Sequence, residues 1–439
     1  MKKVLVITYY WPPSGGAGVQ RSLKFVKYLP EFGIRPVVLT VDENKAFYPF
    51  TDHSLLKDVS PDLKVVKTQK EELLRKFSRL FPKIEVPHSG FANHDKKTLL
   101  SKAMRFVRGN LLIPDARVGW VNAAYEQAVR ILEEEDIDTY YISSPPHSSQ
   151  LIGLKLKKRF PGKKWIVDFR DPWTDIYFYK DLLHTRLAAN IDAGYEKKVL
   201  RQADAILVAS RGAGEIFASK VPGVERKIHF IPNGFDSDDF RVPSHPPRDE
   251  FLITYAGTLA DIYEPEVVFS ALKKIIGKYG DRCPVRLLFV GKVTGTVRRF
   301  AEAYGIEKQV DYVEYVPHAE VVPYLRNTTC LLLVIPQVDL AKGIIPGKMF
   351  EYLAARKPIW AIGPERGDIR DILELSGGGK VFARTQEDEM VAYLDHLVQR
   401  WMENRNLDTD SAEIERFSRR NLTGVLSRII RGEEVQPFI

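Results

Sequence analysis

The sequence contains little cysteine and no long apolar run. Only two of its 439 residues are cysteines, Cys283 and Cys330, and both lie in or next to apolar segments typical of strands. We expect both thiols to be buried and reduced, as is usual in the cytoplasm. Two cysteines in these positions do not indicate a disulfide framework. No apolar run reaches the roughly 18 residues that cross a bilayer, so the sequence predicts no membrane-spanning helix.

The amino terminus begins like a signal peptide, with two lysines before an apolar segment. That segment is very short and no small-residue cleavage site follows it, so we expect a buried first strand instead. The composition, 44% hydrophobic and 28% charged, is typical of a soluble globular protein. A chain of 439 residues is too long for one ordinary core and predicts two domains of roughly 200 residues each.

Positive charge exceeds negative charge by 8, and the isoelectric point is about 9.1, but the excess is uneven. Residues 64–108 contain twelve lysines and arginines against four acids, with phenylalanine, leucine and valine between them. A basic, partly apolar surface of this kind favours an anionic membrane, and predicts a peripheral protein at the inner membrane face. An ordinary solvated helix face is the alternative. A nucleic-acid partner is not expected, because no recognition motif accompanies the charge.

Apolar β-branched segments alternate with helical patterns along the whole chain, which is typical of βαβ units and parallel sheets. We predict an α/β protein with two doubly wound, Rossmann-like domains whose carboxyl strand ends face a central cleft. Residues 1–240 form the predicted first domain, residues 241–415 the second, and residues 416–439 a helical tail that could pack back on the first. The polar, proline-rich segment Asp236–Glu250 is the predicted linker.

The predicted strands are short apolar runs bounded by turn residues, and helices are predicted in the longer intervals. The strands are Lys3–Thr8, Pro36–Val41, Lys64–Thr68, Thr139–Ser143, Lys164–Asp168, Ala205–Ala209, Ile228–Ile231, Phe251–Ala256, Val285–Val290, Val310–Tyr315, Cys330–Ile335, Pro358–Ile362 and Gly379–Ala383.

The segment G-I-I-P-G-K-M-F-E-Y-L-A-A-R-K-P, residues 343–358, predicts a turn followed by a buried helix. Backbone amides at Gly347, Lys348 and Met349 would be free at the helix start and would point at a phosphate. The side chain of Lys348 lies beside them, and Glu351 follows one turn later. This pattern predicts a nucleotide-sugar clamp. The alternative is a buried helix with an incidental lysine and glutamate.

A glycine-rich loop, W-P-P-S-G-G-A-G, follows the first predicted strand and precedes a helix. Gly15 and Gly16 let the backbone approach a ligand closely, and the helix start favours an anion. A dinucleotide-binding fold is a rival interpretation, with Asp42 as the acid that binds the ribose. The spacing opposes it, because Arg21 stands where a third glycine belongs.

Two further loops of the first half carry polar residues at strand ends. In S-S-P-P-H-S-S, His147 precedes a helix, where a neutral imidazole could orient or deprotonate a substrate group. In D-F-R-D-P-W we expect a structural pair between Asp168 and Arg170, and a role in the cleft for Asp171. A solvated histidine that caps the helix is the alternative for the first loop.

The second half of the chain has weaker candidates for phosphate-binding residues. Gly257 and Thr258 follow one predicted strand and Lys292 follows another, so they could add amide or cationic contacts to a phosphate, or form ordinary turns. The D-x-D pair of Asp236 and Asp238 resembles a metal-binding motif. It follows a turn that ends a domain, so we interpret these acids as caps of the linker and expect no metal.

Taken in order, these motifs resemble those of glycosyltransferase family 4, a group of retaining enzymes with the GT-B fold. The resemblance covers nearly the whole chain and rests on the glycine-rich loop, P-P-H-S, D-F-R-D-P-W, I-P-N-G-F-D, Y-A-G-T-L and G-K-M-F-E-Y-L-A. It implies a nucleoside-diphosphate sugar donor, held mainly by the second domain, and no metal or other cofactor. It also implies that Glu351 binds the ribose, that Gly16 approaches the phosphates and that His147 lies near the reacting sugar.

The chain departs from the family pattern at two places. The first acid of the family's E-x7-E motif falls on Gly343, and Thr258 follows Gly257 where an arginine and a lysine commonly grip the diphosphate. Lys348 and Lys292 are the expected replacements for these bases. We therefore assign catalytic roles to His147, Asp171 and Lys348, and donor binding to Gly15, Gly16, Gly257, Thr258, Lys292, Gly347, Lys348, Met349 and Glu351.

The expected reaction is transfer of a sugar, with retention of its anomeric configuration, to a hydroxyl of a glycan or lipid-linked acceptor. The resemblance implies a role in cell-surface polysaccharide synthesis. Two alternatives remain open from the sequence: a nucleotide-sugar epimerase on the same fold, and a catalytically silent scaffold that only binds a partner.

Overall fold

A computed structural model describes residues 1–48, 51–69, 99–176, 179–337 and 343–438. The chain forms two compact units, one of residues 1–233 with 419–438 and the other of residues 234–418. The predicted linker belongs to the second unit, where Asp236 is buried and its carboxylate accepts a hydrogen bond from the Asp238 amide at 3.1 Å. Among the described helices, none combines the length and the apolar character needed to span a bilayer.

The first unit contains a parallel sheet of seven strands in the order β3-β2-β1-β4-β5-β6-β7. The strands are β1 (Lys2–Ile7), β2 (Ile34–Val41), β3 (Lys64–Thr68), β4 (Thr139–Ser144), β5 (Lys164–Phe169), β6 (Ala205–Val208) and β7 (Ile228–Phe230). The helices between them are α1 (Ala17–Tyr28), α2 (Leu99–Leu111), α3 (Val121–Glu134), α4 (Ser149–Arg159), α5 (Arg186–Gln202) and α6 (Arg211–Lys220).

Side chains of β5 alternate between the two faces of this sheet, as the pleat of a strand requires. Trp165, Val167 and Phe169 enter the apolar cluster that includes residues of α3 and α4. Ile166 enters the opposite cluster, which includes residues of α1. Asp168 therefore faces the α1 side of the sheet, a point that decides which charge it meets.

The second unit contains a parallel sheet of six strands in the order β10-β9-β8-β11-β12-β13. The strands are β8 (Phe251–Ala256), β9 (Val285–Val290), β10 (Val310–Val313), β11 (Cys330–Val334), β12 (Ile359–Ile362) and β13 (Gly379–Phe382). The helices are α7 (Glu266–Tyr279), α8 (Gly295–Tyr304), α9 (His318–Arg326), α10 (Gly347–Ala355), α11 (Asp368–Ser376) and α12 (Glu387–Asn404). Two doubly wound parallel sheets confirm the predicted fold class.

The last helix, α13 (Arg419–Arg431), belongs to the first unit although it follows the second unit in sequence. Its buried Leu422, Leu426, Ile429 and Ile430 join the apolar cluster of α1 and the neighbouring strands. At its start, Arg419 donates a hydrogen bond to Gln20 of α1 at 2.8 Å. The chain thus returns to the first unit to complete its core.

Candidate functional site

Each sheet has a switch point, where the strand order reverses and the loops at the carboxyl ends diverge. In the first unit it lies between the neighbouring strands β1 and β4, and in the second between β8 and β11. Open α/β sheets bind ligands outside the carboxyl ends of strands at such points. The glycine-rich loop follows β1, the His147 loop follows β4, the Gly257 loop follows β8, and α10 follows β11. Most of the predicted site residues therefore follow the strands of a switch point, whereas Asp171 follows β5 and Lys292 follows β9.

The glycine-rich loop of the first unit bends at Gly16, whose φ of 88° is in the left-handed region that favours glycine. Gly16 is exposed and stands immediately before the first residue of α1. A Cβ added to Gly18 would lie 3.0 Å from Nη1 of Arg170. The guanidinium of Arg170 also donates to the Pro145 carbonyl at 2.6 Å. Arg170 thus links the glycine-rich loop to the loop that carries His147.

His147 is half-buried and stacks on Trp173, with ring centroids 5.0 Å apart and an interplanar angle of 10°. Its Nδ1 atom is buried and has no hydrogen-bond partner among the described residues. Burial lowers the pKa of His147 to about 4, the nearby cation Arg170 acts in the same direction, and Asp115 opposes them. The imidazole is therefore neutral at pH 7. Its role towards a substrate stays a prediction.

Asp115 holds the turn beside His147, and the sequence reasoning missed it. One carboxylate oxygen accepts from the Ser148 amide and the other from the Ser148 hydroxyl, each at 2.8 Å. The Arg117 amide donates to the second oxygen at 2.9 Å. These bonds tie residues 115–117 to the start of α4 and fix the backbone that presents the imidazole.

The predicted pair between Asp168 and Arg170 is wrong. Asp168 is fully buried and accepts hydrogen bonds from Arg21 Nε at 3.0 Å and Nη2 at 2.9 Å, and from the Tyr141 hydroxyl at 2.6 Å. The strand pleat directs Asp168 towards α1, which carries Arg21. Arg170 lies beyond the strand end and donates to backbone carbonyls instead. The charge of Asp168 inside an apolar strand indicates that it has a buried partner of opposite charge. The sequence does not show which residue that partner is, because this depends on how α1 crosses the sheet.

Asp171 is half-buried, and burial raises its pKa, an effect that the charge of Arg170 partly offsets. Two residues later, the Trp173 indole donates to Asp192 of α5 at 2.8 Å, and Tyr179 donates to the other oxygen of Asp192 at 2.9 Å. Since Trp173 stacks on His147, Asp192 supports the imidazole through that ring. The catalytic role of Asp171 stays a prediction.

In the second unit, Lys348 occupies the second position of α10. Its ammonium donates to the Tyr255 hydroxyl at 2.8 Å, and the Tyr255 hydroxyl donates to the Thr258 carbonyl at 2.8 Å. A Cβ added to Gly257 would lie 3.0 Å from Lys348 Nζ. Burial lowers the pKa of Lys348 to about 7, although the charge of Glu351 opposes the shift. The predicted donor-binding residues Gly257, Thr258, Lys348 and Glu351 are thus grouped around the start of α10.

The start of α10 offers two backbone amides rather than the predicted three. The amide of Met349 donates to the Pro346 carbonyl at 3.0 Å, and the Met349 side chain is fully buried. Gly347 and Lys348 are the first two helical residues, whose amides have no partner within a helix, and no described side chain caps them. These two amides are the donors that the helix start offers, a position that favours an anion.

Close approach of two backbone segments shapes the Gly257 loop. Gly257 has φ 110° and Gly291 has φ 123°, and a Cβ added to Gly291 would lie 2.6 Å from the Gly257 carbonyl oxygen. Lys292 follows with an exposed side chain, and its carbonyl accepts from the Leu259 amide at 2.9 Å. The structure therefore brings Lys292 next to the Gly257 loop through backbone pairing.

Two family models match the chain and together cover most of it. The model described as "Glycosyltransferase Family 4" matches residues 17–239, and the model described as "Glycosyl transferases group 1" matches residues 236–413. The first match alone spans more than half of the chain. The chain belongs to glycosyltransferase family 4. This membership confirms the resemblance inferred from the motifs and makes the protein a glycosyltransferase with the GT-B fold.

Several solved structures resemble this family 4 glycosyltransferase over nearly its full length. Sucrose-phosphate synthase from Thermosynechococcus elongatus is 14% identical, with a TM-score of 0.58 and coverage of 98% of this chain and 99% of that chain. The lipopolysaccharide outer core galactosyltransferase WaaB is 15% identical, with a TM-score of 0.57 and coverage of 98% and 99%. The protein HepE from Anabaena, solved in complex with UDP-glucose, is 12% identical, with a TM-score of 0.57 and coverage of 98% and 100%. No curated protein sequence matches the chain significantly.

Arg384 is a further residue of this glycosyltransferase that sequence reasoning missed. Its guanidinium donates to the carbonyls of Tyr263 and Ile335, each at 2.7 Å, and to the Gln337 side chain at 2.8 Å. It therefore ties the loop after β8 to the loop after β11, on either side of the switch point. The sequence feature that could have identified it is an arginine two residues beyond the end of β13.

Most of the predicted basic surface, residues 64–108, lies outside the described residues.

Proposed function

We propose that the enzyme transfers a sugar from a nucleoside-diphosphate donor to a hydroxyl of a glycan or lipid-linked acceptor, with retention at the anomeric carbon. The proposed role is synthesis of a cell-surface polysaccharide. Family membership supports glycosyl transfer, and the similar protein solved with UDP-glucose supports a nucleotide-sugar donor. Glu351 is proposed to bind the ribose hydroxyls, and no metal is proposed at the diphosphate.

One observation carries this proposal: the donors at the start of α10. The amides of Gly347 and Lys348 have no capping side chain, and the Lys348 ammonium at the same helix start is held by Tyr255 at 2.8 Å. We propose that these three donors bind the diphosphate together. A diphosphate gains negative charge as the sugar leaves. Donors aimed at that charge stabilise the transition state more than the ground state, which is how they accelerate the reaction. Lys348 thus supplies the cation that the family motif lacks after Gly257.

The proposed step conserves atoms and charge. The bond between the anomeric carbon and the diphosphate oxygen breaks, and a bond to the acceptor oxygen forms on the same face of the sugar. The acceptor proton passes to the departing phosphate oxygen. The neutral imidazole of His147 is proposed to accept a hydrogen bond from a sugar hydroxyl and so to orient the reacting ring.

The first experiment measures the ligand-induced rise in thermal midpoint with UDP, GDP, ADP and NADH, for the wild type and for Glu351→Ala. We expect one nucleoside diphosphate to stabilise the wild type, and the variant to lose most of that shift because the ribose hydroxyls lose their acceptor. Stabilisation by NADH alone, or an equal shift in the variant, would contradict the assignment. Glu365→Ala, an exposed acid on the loop after β12, is the matched control.

A second experiment separates the alternatives and fixes the stereochemistry. The enzyme is incubated with a sugar conjugate of the nucleoside diphosphate that raised the thermal midpoint, with and without a hydroxyl acceptor. Products are followed by proton NMR. A transferase forms product only with the acceptor, and coupling constants report retention. Conversion of the donor without acceptor would indicate the epimerase, and donor binding without any turnover would indicate the silent scaffold. Repetition with EDTA tests the proposal that no metal is needed, since undiminished turnover is expected.

A further inference from the structure

Helix α5 carries two buried acids that differ in their partners. Asp192 and Glu196 are four residues apart, are 1% and 0% exposed, and lie on one face of the helix. The carboxylate of Glu196 is paired with the ammonium of Lys220 at 2.6 Å. The carboxylate of Asp192 forms no ion pair with any described residue. A buried carboxylate without a counter-charge lowers the stability of the fold, so packing alone does not account for Asp192.

The two hydrogen bonds of Asp192 fix an aromatic ring. One oxygen accepts from the Trp173 indole at 2.8 Å, and the other accepts from the Tyr179 hydroxyl at 2.9 Å. The indole N–H is the only polar group in the side chain of Trp173, which is buried. Asp192 therefore holds the edge of this ring. Glu196 anchors the next residue, since it accepts from the Thr174 hydroxyl at 2.8 Å.

The face of the same indole ring meets His147. The two ring centroids are 5.0 Å apart and the ring planes differ by 10°. The buried Nδ1 atom of the imidazole has no hydrogen-bond partner among the described residues, so stacking decides how this ring is turned. Trp173 is thus bound at its edge by Asp192, while its face sets the orientation of His147.

The groups around Asp192 decide at which pH its carboxylate is charged. Burial raises its pKa to about 6, and the charges of Glu196 and Asp115 act in the same direction. The hydrogen bonds from Tyr179 and Trp173 lower it. Other titratable side chains of the neighbouring segments interact with further groups, among them Lys220 (Glu196, Asp175), Lys155 (Asn122), Lys157 (Asp204), Arg159 (Glu133), Arg108 (Asp115, Arg117) and His184 (Tyr179).

We propose that Asp192 is a positioning residue of the transferase, whose carboxylate holds the Trp173 ring against which His147 is set. This role rests on the proposed function, in which His147 orients the reacting sugar. A charged carboxylate accepts both hydrogen bonds strongly, whereas a protonated carboxyl group accepts them weakly and must donate its own proton. Protonation of Asp192 therefore loosens the ring and lowers the rate of transfer. It acts on turnover rather than on donor binding, because the proposed ribose and diphosphate contacts come from other residues.

The test is the pH dependence of transfer by the full chain, with kcat and the donor KM measured from pH 5 to 8. We expect kcat to fall on the acid side with a midpoint near pH 6, while KM changes little. His147 itself does not produce this midpoint, because its pKa is about 4. Asp192→Asn should lower kcat about tenfold or more at neutral pH, since the imidazole is misplaced, and should abolish the acid-side fall.

Tyr179→Phe tests the direction of the effect. It removes a hydrogen bond that lowers the pKa of Asp192, so the midpoint of the acid-side fall should move to higher pH. A purely structural role of Asp192 would not move this midpoint. Tyr195→Phe is the matched control, because it removes a hydroxyl of α5 that has no hydrogen bond among the described residues. Its midpoint should equal that of the wild type.

A measurement without turnover separates this role from the proposed function. NMR follows the indole N–H signal of Trp173 and the imidazole signals of His147 in the ligand-free protein, assigned with Trp173→Phe and His147→Gln. Both should shift together near pH 6 in the wild type and stay constant there in Asp192→Asn. If the signals shift together but the wild type transfers no sugar, the proposed function fails and the link between Asp192 and His147 stands.

Three results would overturn the proposal. They are an acid-side fall that persists in Asp192→Asn, a midpoint that Tyr179→Phe leaves in place, and a Trp173 signal that titrates without any change at His147. The thermal midpoint of each variant, with and without the stabilising nucleotide, checks its folding. Tyr179→Phe decides the question if Asp192→Asn does not fold.

Discussion

At the scale of single residues, Lys348 stands out because its pKa of about 7 lies at working pH. Burial lowers this pKa, so the neutral amine is populated in the ligand-free protein near neutral pH. Binding of a diphosphate favours the ammonium and raises its pKa in the complex. The free energy of diphosphate binding is therefore linked to proton uptake, in the direction that weakens binding at higher pH.

We predict that nucleoside-diphosphate affinity is constant, as far as Lys348 is concerned, below its free-state pKa of about 7 and falls above it. The fall approaches tenfold per pH unit until the pKa of the bound state is reached. Titration calorimetry from pH 6 to 9 measures it. Lys348→Arg keeps the charge at every pH and reports the ligand's own titration, so only the difference between the two profiles counts. Identical pH profiles for the two proteins would show that Lys348 does not bind the diphosphate.

The buried pair of Arg21 and Asp168 gives a second residue-scale prediction. Both side chains are almost fully buried, and Tyr141 adds a hydrogen bond to the carboxylate. Asp168→Asn leaves the guanidinium without a counter-charge, so the free energy of unfolding of the first unit should fall by about 3–5 kcal/mol. Glu133→Gln, which breaks an exposed pair with Arg159, should change it by less than about 1 kcal/mol.

Urea denaturation, followed by hydrogen exchange and mass spectrometry, measures the free energy of unfolding of each variant. The exchange of individual strands shows whether the first or the second unit is destabilised. A loss for Asp168→Asn no larger than that for Glu133→Gln would mean that water reaches the Arg21 guanidinium. The double variant Arg21→Met/Asp168→Leu removes both charges together, and it should recover part of the loss.

At the scale of elements, the turns that follow β8 and β9 depend on glycine. Gly291→Ala would place a methyl group 2.6 Å from the Gly257 carbonyl oxygen and would retain a φ near 123°. We expect a loss of about 1–3 kcal/mol in stability of the second unit and weaker diphosphate binding, because the Gly257 loop must move. Gly295→Ala is the matched control, since its added Cβ would meet nothing within 4 Å.

Thermal midpoints and nucleoside-diphosphate affinities are measured for both glycine variants. A Gly291→Ala protein that binds like the wild type would show that the loop adapts without affecting the donor site. Equal losses in both variants would point to helix propensity or surface effects rather than to the close backbone approach.

Most elements could be predicted because a parallel strand buried on both faces is a short, continuous apolar run. Phe251–Ala256 and Val285–Val290 were predicted with their observed bounds. The run Val310–Tyr315 was predicted too long, since Glu314 and Tyr315 are exposed and the strand ends at Val313. The helix Arg211–Lys220 lies in one of the longer intervals where helices are predicted, and the Ser210 side chain caps its start by accepting from the Ala213 amide at 3.2 Å.

The site was less predictable than the fold, for a physical reason. Motif order located His147 after a strand and Lys348 at a helix start, and that depends only on the local sequence. The partners of these side chains come from distant segments: Trp173 stacks on His147, and Tyr255 binds Lys348. A pair such as Arg21 and Asp168 depends on how a helix crosses the sheet, which periodicity does not encode.

At the scale of the whole molecule, the first unit is discontinuous in sequence, and α13 closes it. Leu426 is almost fully buried in the cluster of α1 and its neighbouring strands. Leu426→Ala should lower the free energy of unfolding of the first unit by about 2–5 kcal/mol, because it leaves a cavity. Arg420→Ala, in an exposed pair with Glu31, should have little effect.

Hydrogen exchange of the strands of the first unit is the measurement for Leu426→Ala. Faster exchange in β1 and β2, with unchanged exchange in the second unit, is the expected result. Uniformly faster exchange in both units would mean that they unfold as one, and unchanged exchange would mean that α13 contributes little to the core.

The return of α13 also sets an order of events during synthesis. Residues 419–438 leave the ribosome after all 185 residues (234–418) of the second unit. At roughly 5–20 residues per second, the ribosome needs about 10–40 s to make that segment. During this interval the nascent first unit lacks one wall of its core, while the second unit can already fold completely. The newly made chain therefore leaves apolar side chains of its first unit uncovered until residues 419–438 emerge.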